Sequence, residues 1–217
     1  MIKLEKTEVL GFESAIRGMR NPMNSWDKSD SKHLYATEYD VGDNDLNLMK
    51  RLVKAGTDHR KFMRMITVYV NITAPLYWWK EFDTYKVGTV ANSCSTMHKI
   101  HAKEFTREDF SHEHLQMLHI SKQVLDDFNW CLDNTIQWLN TARKMYLETK
   151  DKTYWWQMIQ LLPSSYNQKR TVMLNYEVLS NMYKSRKNHK LDEWRELCKW
   201  TETLPYSELI TGEFKDE

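Results

Sequence analysis

The chain has 217 residues, and its 31 basic and 30 acidic side chains leave a formal charge of only +1. This length suits a single domain, residues 1–217, with a core of useful size. The balanced charge does not indicate a general nucleic-acid surface, which usually carries a basic excess, although a few local cations can hold a small anionic ligand. Only 6 Gly and 4 Pro imply few obligatory turns, so the composition favours long helices.

The cysteines and the first residues indicate a cytoplasmic protein. Cys94, Cys131 and Cys198 are odd in number and far apart, so they predict neither a disulfide framework nor a zinc knuckle. The first ten residues alternate apolar and charged side chains, which is typical of a strand and not of a signal peptide. No apolar run reaches the ~20 residues of a membrane-spanning helix. We therefore expect neither a membrane nor a nucleic-acid polymer among the partners.

The N-terminal half predicts alternating strands and short helices. A β-branched run without a breaker, 65–73, is typical of a strand, and Pro75 suits the first turn of the helix after it. The predicted elements are a strand over 1–10, a helix over 11–19, a loop over 21–33, a helix capped by Asp43 or Asp45 and ended by Gly56, the strand over 65–73, a helix over 75–85, and a loop over 86–96.

The C-terminal half predicts mainly helices, the first of which runs from Thr106 or Ser111 to Thr149. Its apolar side chains step by three, four or seven positions, as one helical face requires: Leu118, Leu125, Phe128, Leu132, Ile136, Leu139 and Tyr146. A helix of this length usually braces an oligomer or crosses the fold, and Trp130 and Trp138 lie close to one face of it. The remaining predictions are helices over 155–162, 175–186 and 192–204 and a short strand over 171–174. Together these elements favour a helix-rich α+β fold.

The histidines between His98 and His119 do not form a convincing metal site. His112 and His114 would project onto different faces of a helix, whereas helical ligands are spaced by three or four residues. His98 and His101 have suitable spacing but lack an obvious third ligand. We therefore predict polar surface histidines and no bound metal.

Two stretches of the sequence resemble the flavin-dependent thymidylate synthase (ThyX) family. From Leu52 to Thr96, a helix ends in a glycine, a strand ends in Ala74-Pro75, and a helix leads to the place of the family signature RHRxxSxNExSxR. In the C-terminal stretch, the family run "LP … N.RSL.NFL.LR … W" is matched by Leu162, Pro163, Asn175, Leu179, Asn181, Arg186 and Trp194, with one extra residue before the tryptophan. The resemblance implies an α+β fold with a small mixed sheet and long helices.

The signature itself departs from the family at most of its positions. In chain order, Thr84-Tyr85-Lys86 replaces Arg-His-Arg, Thr89 keeps a hydroxyl, Ala91-Asn92 replaces Asn-Glu, Cys94 replaces the second serine, Thr96 replaces the last arginine, and Glu177 replaces a downstream arginine. Guanidinium forks bind phosphate better than ammonium groups do, and each lost charge-assisted hydrogen bond costs ~1.5–3 kcal/mol when buried. These losses would abolish micromolar dUMP binding in the family's own pose unless other cations replace them. Arg170, Lys169 and Lys184 are candidates, although exposed cations are most often simply solvated.

The resemblance implies reductive one-carbon transfer to C5 of a deoxyuridine nucleotide, dUMP to dTMP, with FAD, NADPH and methylene-tetrahydrofolate. By correspondence of position, Arg186 would stabilise charge on the pyrimidine, Lys86, Thr89 and Cys94 would line the substrate, and Tyr85, Asn175 and Asn181 would contact the flavin. The family's sites lie between subunits of a homotetramer, so a homo-oligomer is expected. Two alternatives stay open: a non-catalytic or regulatory relative without flavin, and a variant that acts on another pyrimidine nucleotide.

Overall fold

The structure is a computed structural model that describes residues 2–35, 38–116 and 122–214. Its contacts cluster into two compact units. The first unit contains the start of the chain as far as Lys3 together with 72–84 and 92–170, and the second contains 4–71, 85–91 and 171–217. The single domain over 1–217 therefore stays a prediction, and each unit is described by itself.

The described residues form an α+β fold rich in helices, as the sequence predicts. The strands are β1 Lys3–Leu10, β2 Lys32–Tyr35, β3 Glu38–Asp40, β4 Thr67–Pro75, β5 Val90–Ser93 and β6 Asn167–Asn175. The helices are α1 Phe12–Arg20, α2 Asp43–Lys54, α3 Leu76–Phe82, α4 Lys122–Thr149, α5 Lys152–Leu161, α6 Tyr176–Arg186, α7 Asp192–Glu202 and α8 Glu208–Thr211.

One four-stranded sheet has the order β1-β4-β6-β5, and β2 pairs with β3 in a separate antiparallel hairpin. The β-branched run of β4 alternates buried and less buried side chains, which explains why its pattern predicts a strand. Segment 86–96, predicted as a loop, instead contributes the edge strand β5. The loop prediction therefore holds for 86–89 and 94–96 and was wrong for 90–93, because strand pairing is made by backbone groups, which small and polar residues provide as well as large ones.

The long helix begins later than predicted. Thr106 and Asp109 do form a capping box, but it opens only a single 3-10 turn over Arg107–Asp109. Phe110 is then extended and bridges to Tyr166, which ends the helical path. A second 3-10 turn covers Glu113–Gln116, and α4 starts at Lys122. Leu118 and His119 lie outside the described residues, and the side chain of Leu125 is not described.

In the first unit, α4 and α5 pack over an apolar core. Asn140 on α4 binds the backbone of Phe105 in both directions, accepting from its N–H at 2.8 Å and donating to its carbonyl at 2.9 Å. The buried members of this core are Ile100, Phe105, Phe110, Leu132, Leu139, Ala142 and Met158. Trp130 and Trp138 point away from it and are 66 % and 65 % exposed.

In the second unit, the start of α2 differs from the prediction. The N-cap residue is Gly42, and the carboxylate of Asp30 accepts from the backbone N–H groups of Asn44 and Asp45 at 2.9 and 3.1 Å. Asp45 is therefore not a cap. It is fully buried and accepts hydrogen bonds from Arg20 at 2.6 Å and from Ser31.

Candidate functional site

Arg186, at the end of α6, lies in an aromatic cluster of the second unit. Its Nε donates a hydrogen bond of 3.0 Å to the hydroxyl of Tyr85. Its guanidinium carbon lies 4.7 Å from the ring centroid of Trp194 and 5.7 Å from that of Tyr85. The two rings meet edge to face, with centroids 5.8 Å apart. The guanidinium is therefore held by cation–π contacts as well as by a hydrogen bond.

The segment after α3 places Tyr85 in this cluster. Thr89 donates from its hydroxyl to the backbone carbonyl of Tyr85, which closes the turn. Between them, Gly88 has φ +77, and a Cβ there would lie 2.6 Å from Nδ2 of Asn175. Only glycine fits a left-handed conformation at such close approach. Lys86 is exposed beside this turn.

Asn175 begins α6, and its side-chain oxygen accepts from the backbone N–H of Val178 at 3.0 Å. This is an N-cap, which satisfies one of the donors at the start of a helix. The amide oxygen is thus used by the fold, while the amide nitrogen faces Gly88. Tyr85 contacts Arg186 directly, while Thr89 and Gly88 connect Tyr85 to Asn175 at the opposite end of α6.

Asn181 lies elsewhere. It is separated from Arg186 by five positions, and Glu177 is separated from Arg186 by nine, which at about 100° per residue puts both on the far side of α6. There the side-chain oxygen of Asn181 accepts from Nη2 of Arg60 at 3.1 Å. Within one chain, the side chains of Asn181 and Arg186 therefore leave α6 on different sides and have different partners.

Glu177, which stands where the family has an arginine, is buried between two arginines. It accepts hydrogen bonds from Arg64, and its Oε1 lies 3.7 Å from Nε of Arg60. Glu177 is 10 % exposed and Arg64 is 54 % exposed, so the outer arginine reaches solvent. Burial, with repulsion from Arg60, lowers the pKa of the neighbouring Lys184. The inverted charge at 177 is therefore compensated by cations from the segment before β4.

Cys94 belongs to the first unit, and its side chain is exposed. Its N–H donates to the carbonyl of Lys169 at 2.9 Å, and its carbonyl accepts from Nε2 of Gln168 at 2.8 Å. Arg170 lies over the Trp79 ring at 4.1 Å and donates to Asp83 at 2.7 Å. Arg170 is thus not a solvated surface charge, because an aromatic face and a carboxylate hold it.

Sequence reasoning missed Arg60, Arg64 and the side-chain role of Trp194. Arg60 and Arg64 lie at the two ends of the 3-10 turn directly before β4, a spacing that is not a helical-face signal in the sequence. In the sequence, Trp194 was used only as one of the residues that match the family's C-terminal run.

Among the described histidines, His112 binds the carbonyl of Phe110 through Nδ1 at 2.9 Å. The part of the chain that the structure describes contains no group of His, Cys, Asp and Glu that could hold a metal ion, and none of its helices has the length and apolarity to cross a membrane.

The fold is similar to solved structures of two kinds of enzyme. One is the flavin-dependent thymidylate synthase ThyX from Helicobacter pylori complexed with FAD and dUMP, at 16 % identity and TM-score 0.69 over 98 % of this chain and 100 % of that one. Another is the UMP/dUMP methylase PolB from Streptomyces cacaoi bound with 5-Br dUMP, at 15 % identity and TM-score 0.64 over 98 % and 95 % of the two chains.

No protein-family model matches the sequence, and no curated protein is similar to it in sequence. Identities this low carry information about the fold alone, and the similarity extends over nearly the whole of both chains. The chain therefore has the fold of the flavin-dependent thymidylate synthases, as the resemblance in its two motif stretches implied.

Proposed function

We propose that the chain is a flavin-dependent methyltransferase that transfers a one-carbon group to C5 of dUMP, giving dTMP. The observation that carries this proposal is the geometry of Arg186: the one nucleotide-side arginine that the sequence keeps is fixed on Trp194 and Tyr85 and is half-buried. A permanently charged donor held in a fixed orientation suits a group on which negative charge develops during a reaction. Two of the solved enzymes to which the fold is similar were crystallised with dUMP or its 5-bromo form.

Arg186 is the residue to which we assign the catalytic role. A uracil ring reacts at C5 as a nucleophile, and the negative charge that activates C5 is shared with the C4 carbonyl oxygen. Hydrogen bonds from a guanidinium stabilise this oxygen more as its charge grows, which lowers the barrier without a covalent contribution from the protein. Lys86, Thr89 and Cys94 are assigned to the substrate, with Lys86 as the cation nearest in sequence to the Tyr85 turn.

The residues of the cluster fit FAD, because aromatic faces, an amide nitrogen and cations are the groups that bind a flat ring with phosphates. Tyr85 and Asn175 would hold the flavin on the Arg186 side of α6, and Asn181 would do so on the opposite side, next to Arg60 and Arg64. When bound, FAD supplies the reducing and one-carbon transfer chemistry. NADPH and methylene-tetrahydrofolate complete the reaction as reductant and carbon donor.

Because Asn181 and Arg186 lie on different faces of α6, one site that uses both residues needs α6 helices from two copies of the chain. This is consistent with a homo-oligomer, for which a tetramer is our proposal. A cytoplasmic location is part of the same proposal.

A non-catalytic relative is the second candidate, and a specific observation favours it. The side-chain oxygens of Asn175 and Asn181 are both engaged by the fold, one with Val178 and the other with Arg60. In this alternative the two asparagines have become structural and the chain binds no flavin.

The test is the absorption spectrum of the purified protein, followed by turnover. We expect a yellow protein with flavin bands, and dTMP formation from dUMP when methylene-tetrahydrofolate and NADPH are added. Retention of flavin without dTMP would favour another pyrimidine nucleotide, and UMP and dCMP are then tested in the same assay. A colourless protein that does not take up added FAD would favour the non-catalytic relative.

A further inference from the structure

The hydrogen bond between Arg186 and Tyr85 has a fixed polarity. A guanidinium has only donors, so Nε–H must donate and the phenol oxygen must accept. The phenol O–H cannot point at Arg186 as well. Tyr85 therefore presents a donor to whatever lies on its other side.

Tyr85 and Arg186 are supported by buried neighbours and remain partly accessible to solvent. Trp194 is fully buried, and its ring supports the guanidinium at 4.7 Å. Tyr85 and Arg186 are both half-buried, so part of each side chain remains accessible. Thr89 and Gly88 hold the backbone of Tyr85 close to α6, which limits how far the ring can turn away.

We propose that Tyr85 adds to the selectivity of this site for a ring carbonyl over a ring amino group, and thus for uracil-type over cytosine-type nucleotides. The inference rests on the proposed function, since it assumes that a pyrimidine nucleotide binds at Arg186. It assigns part of the choice of substrate to a side chain that replaces the histidine of the family signature.

The chemistry follows from the donors that are present. The carbonyl at C4 of uracil accepts hydrogen bonds, whereas the amino group at C4 of cytosine donates them. A cytosine ring at this place would set its N–H against the O–H of Tyr85, whose acceptor position is occupied by Arg186. One donor would then be left without a partner in a half-buried site, and such an unpaired group costs more than a lost hydrogen bond contributes.

The same geometry could have the opposite effect. If a ligand needed Nε of Arg186 for itself, the Tyr85 hydroxyl would compete with it. Removal of the hydroxyl distinguishes these two effects, because it weakens dUMP binding in the first case and strengthens it in the second.

The experiment measures dUMP and dCMP binding by calorimetry for the wild type, Tyr85→Phe and Tyr183→Phe. Tyr183 is the matched control. It lies on α6, the helix of Arg186, but its hydroxyl donates to Glu202 on α7 at 2.8 Å and takes no part in the cluster. We expect the wild type to prefer dUMP. Tyr85→Phe should weaken dUMP binding about three- to tenfold, as for the loss of one neutral hydrogen bond, and should strengthen dCMP binding, because the donor that opposes its amino group is removed. Tyr183→Phe should leave the ratio of the two affinities unchanged.

Equal affinities for dUMP and dCMP in the wild type, or tighter dUMP binding by Tyr85→Phe, would overturn the inference and leave the proposed function standing. Binding of neither nucleotide by the wild type would overturn both. Proton exchange at Nε of Arg186, followed by NMR without any nucleotide, tests the first step separately. It should be faster in Tyr85→Phe than in the wild type, and equal rates would refute the hydrogen bond on which the inference is built.

Discussion

Glu177 lies between Arg64, which donates hydrogen bonds to it, and Arg60, whose Nε is 3.7 Å away. The carboxylate is thus paired with two arginines from the segment before β4. One carboxylate against two guanidinium groups leaves the formal charge of this cluster positive.

An arginine at position 177, the residue that the ThyX family has there, should therefore destabilise the fold. Glu177→Arg puts a third guanidinium against Arg60 in a buried place and should destabilise the fold by about 3–5 kcal/mol, as for a buried ion pair that loses one partner. Denaturant unfolding measures the change. Glu196→Arg on α7, where Glu196 pairs with exposed Lys199, is the control and should change stability little. A Glu177→Arg protein as stable as the wild type would show that the ion cluster is not structural.

The buried carboxylate of Asp45 makes the free energy of unfolding depend on pH in the acid range. Burial raises the pKa of its carboxyl, but hydrogen bonds from Ser31, Ser29 and Arg20 outweigh burial, and the net pKa is below the ordinary value of 3.8. A depressed folded-state pKa means that the stabilisation is complete above about pH 4 and is lost as the pH falls through the folded pKa.

Asp45→Asn should thus cost about 3–5 kcal/mol at pH 7, because Arg20 stays buried without its carboxylate. Urea unfolding of both proteins from pH 7 to pH 2.5 should show the difference shrinking in acid. Asp43→Asn on the same helix, at an exposed position, is the control. A difference that stays constant over this range would contradict the assigned pKa.

The cysteines should react according to their surroundings. Burial, with Glu202 nearby, raises the pKa of Cys198 to about 11, so its thiol stays protonated at pH 8 and should resist alkylation. Cys94 and Cys131 are exposed and should be alkylated. If Cys94 lines the substrate site, dUMP should slow its reaction, while Cys131 on α4 serves as the internal control. Mass spectrometry of iodoacetamide-treated protein shows both effects, and equal rates at Cys94 with and without bound dUMP would remove it from the site.

The α4 helix should lie at an interface between copies of the chain. Trp130 and Trp138 are largely exposed, and large exposed aromatics are typical of interface centres. If two copies of α4 paired antiparallel, the acidic Asp126 and Asp127 near its start would face the basic Lys144 near the end of the other copy.

Light scattering should show that the wild type is an oligomer and that the double variant Trp130→Ala/Trp138→Ala dissociates. Met23→Ala, at another exposed apolar side chain, should leave it intact, and a wild type that is monomeric at micromolar concentration would contradict the prediction.

Local signals explain what the sequence could predict. The β-branched run of β4 and the Asn175 cap of α6 are each visible within a few residues, and both elements were predicted with nearly correct bounds. The site is different, because its contacts join distant positions. Arg186 meets Tyr85 across 101 positions and Arg64 meets Glu177 across 113, and no local pattern encodes such pairs. The resemblance to a family pointed to Tyr85 and Arg186, but nothing pointed to Arg60 or Arg64.

Arg186→Ala is the change that tests the proposed function most directly. Its Nε binds Tyr85 and its guanidinium rests on Trp194, so the side chain is already ordered and loses little further freedom when a ligand binds. Removal of a charge-assisted hydrogen bond worth ~1.5–3 kcal/mol should raise the dissociation constant for dUMP roughly 10- to 200-fold. Flavin content should change little. Arg51→Ala, at an exposed position on α2, is the control for the loss of one positive charge and should bind dUMP as the wild type does. Calorimetry measures all three proteins. If Arg186→Ala and Arg51→Ala bind dUMP equally, the nucleotide does not meet Arg186, and its cluster with Tyr85 and Trp194 is a structural feature of α6 and α7.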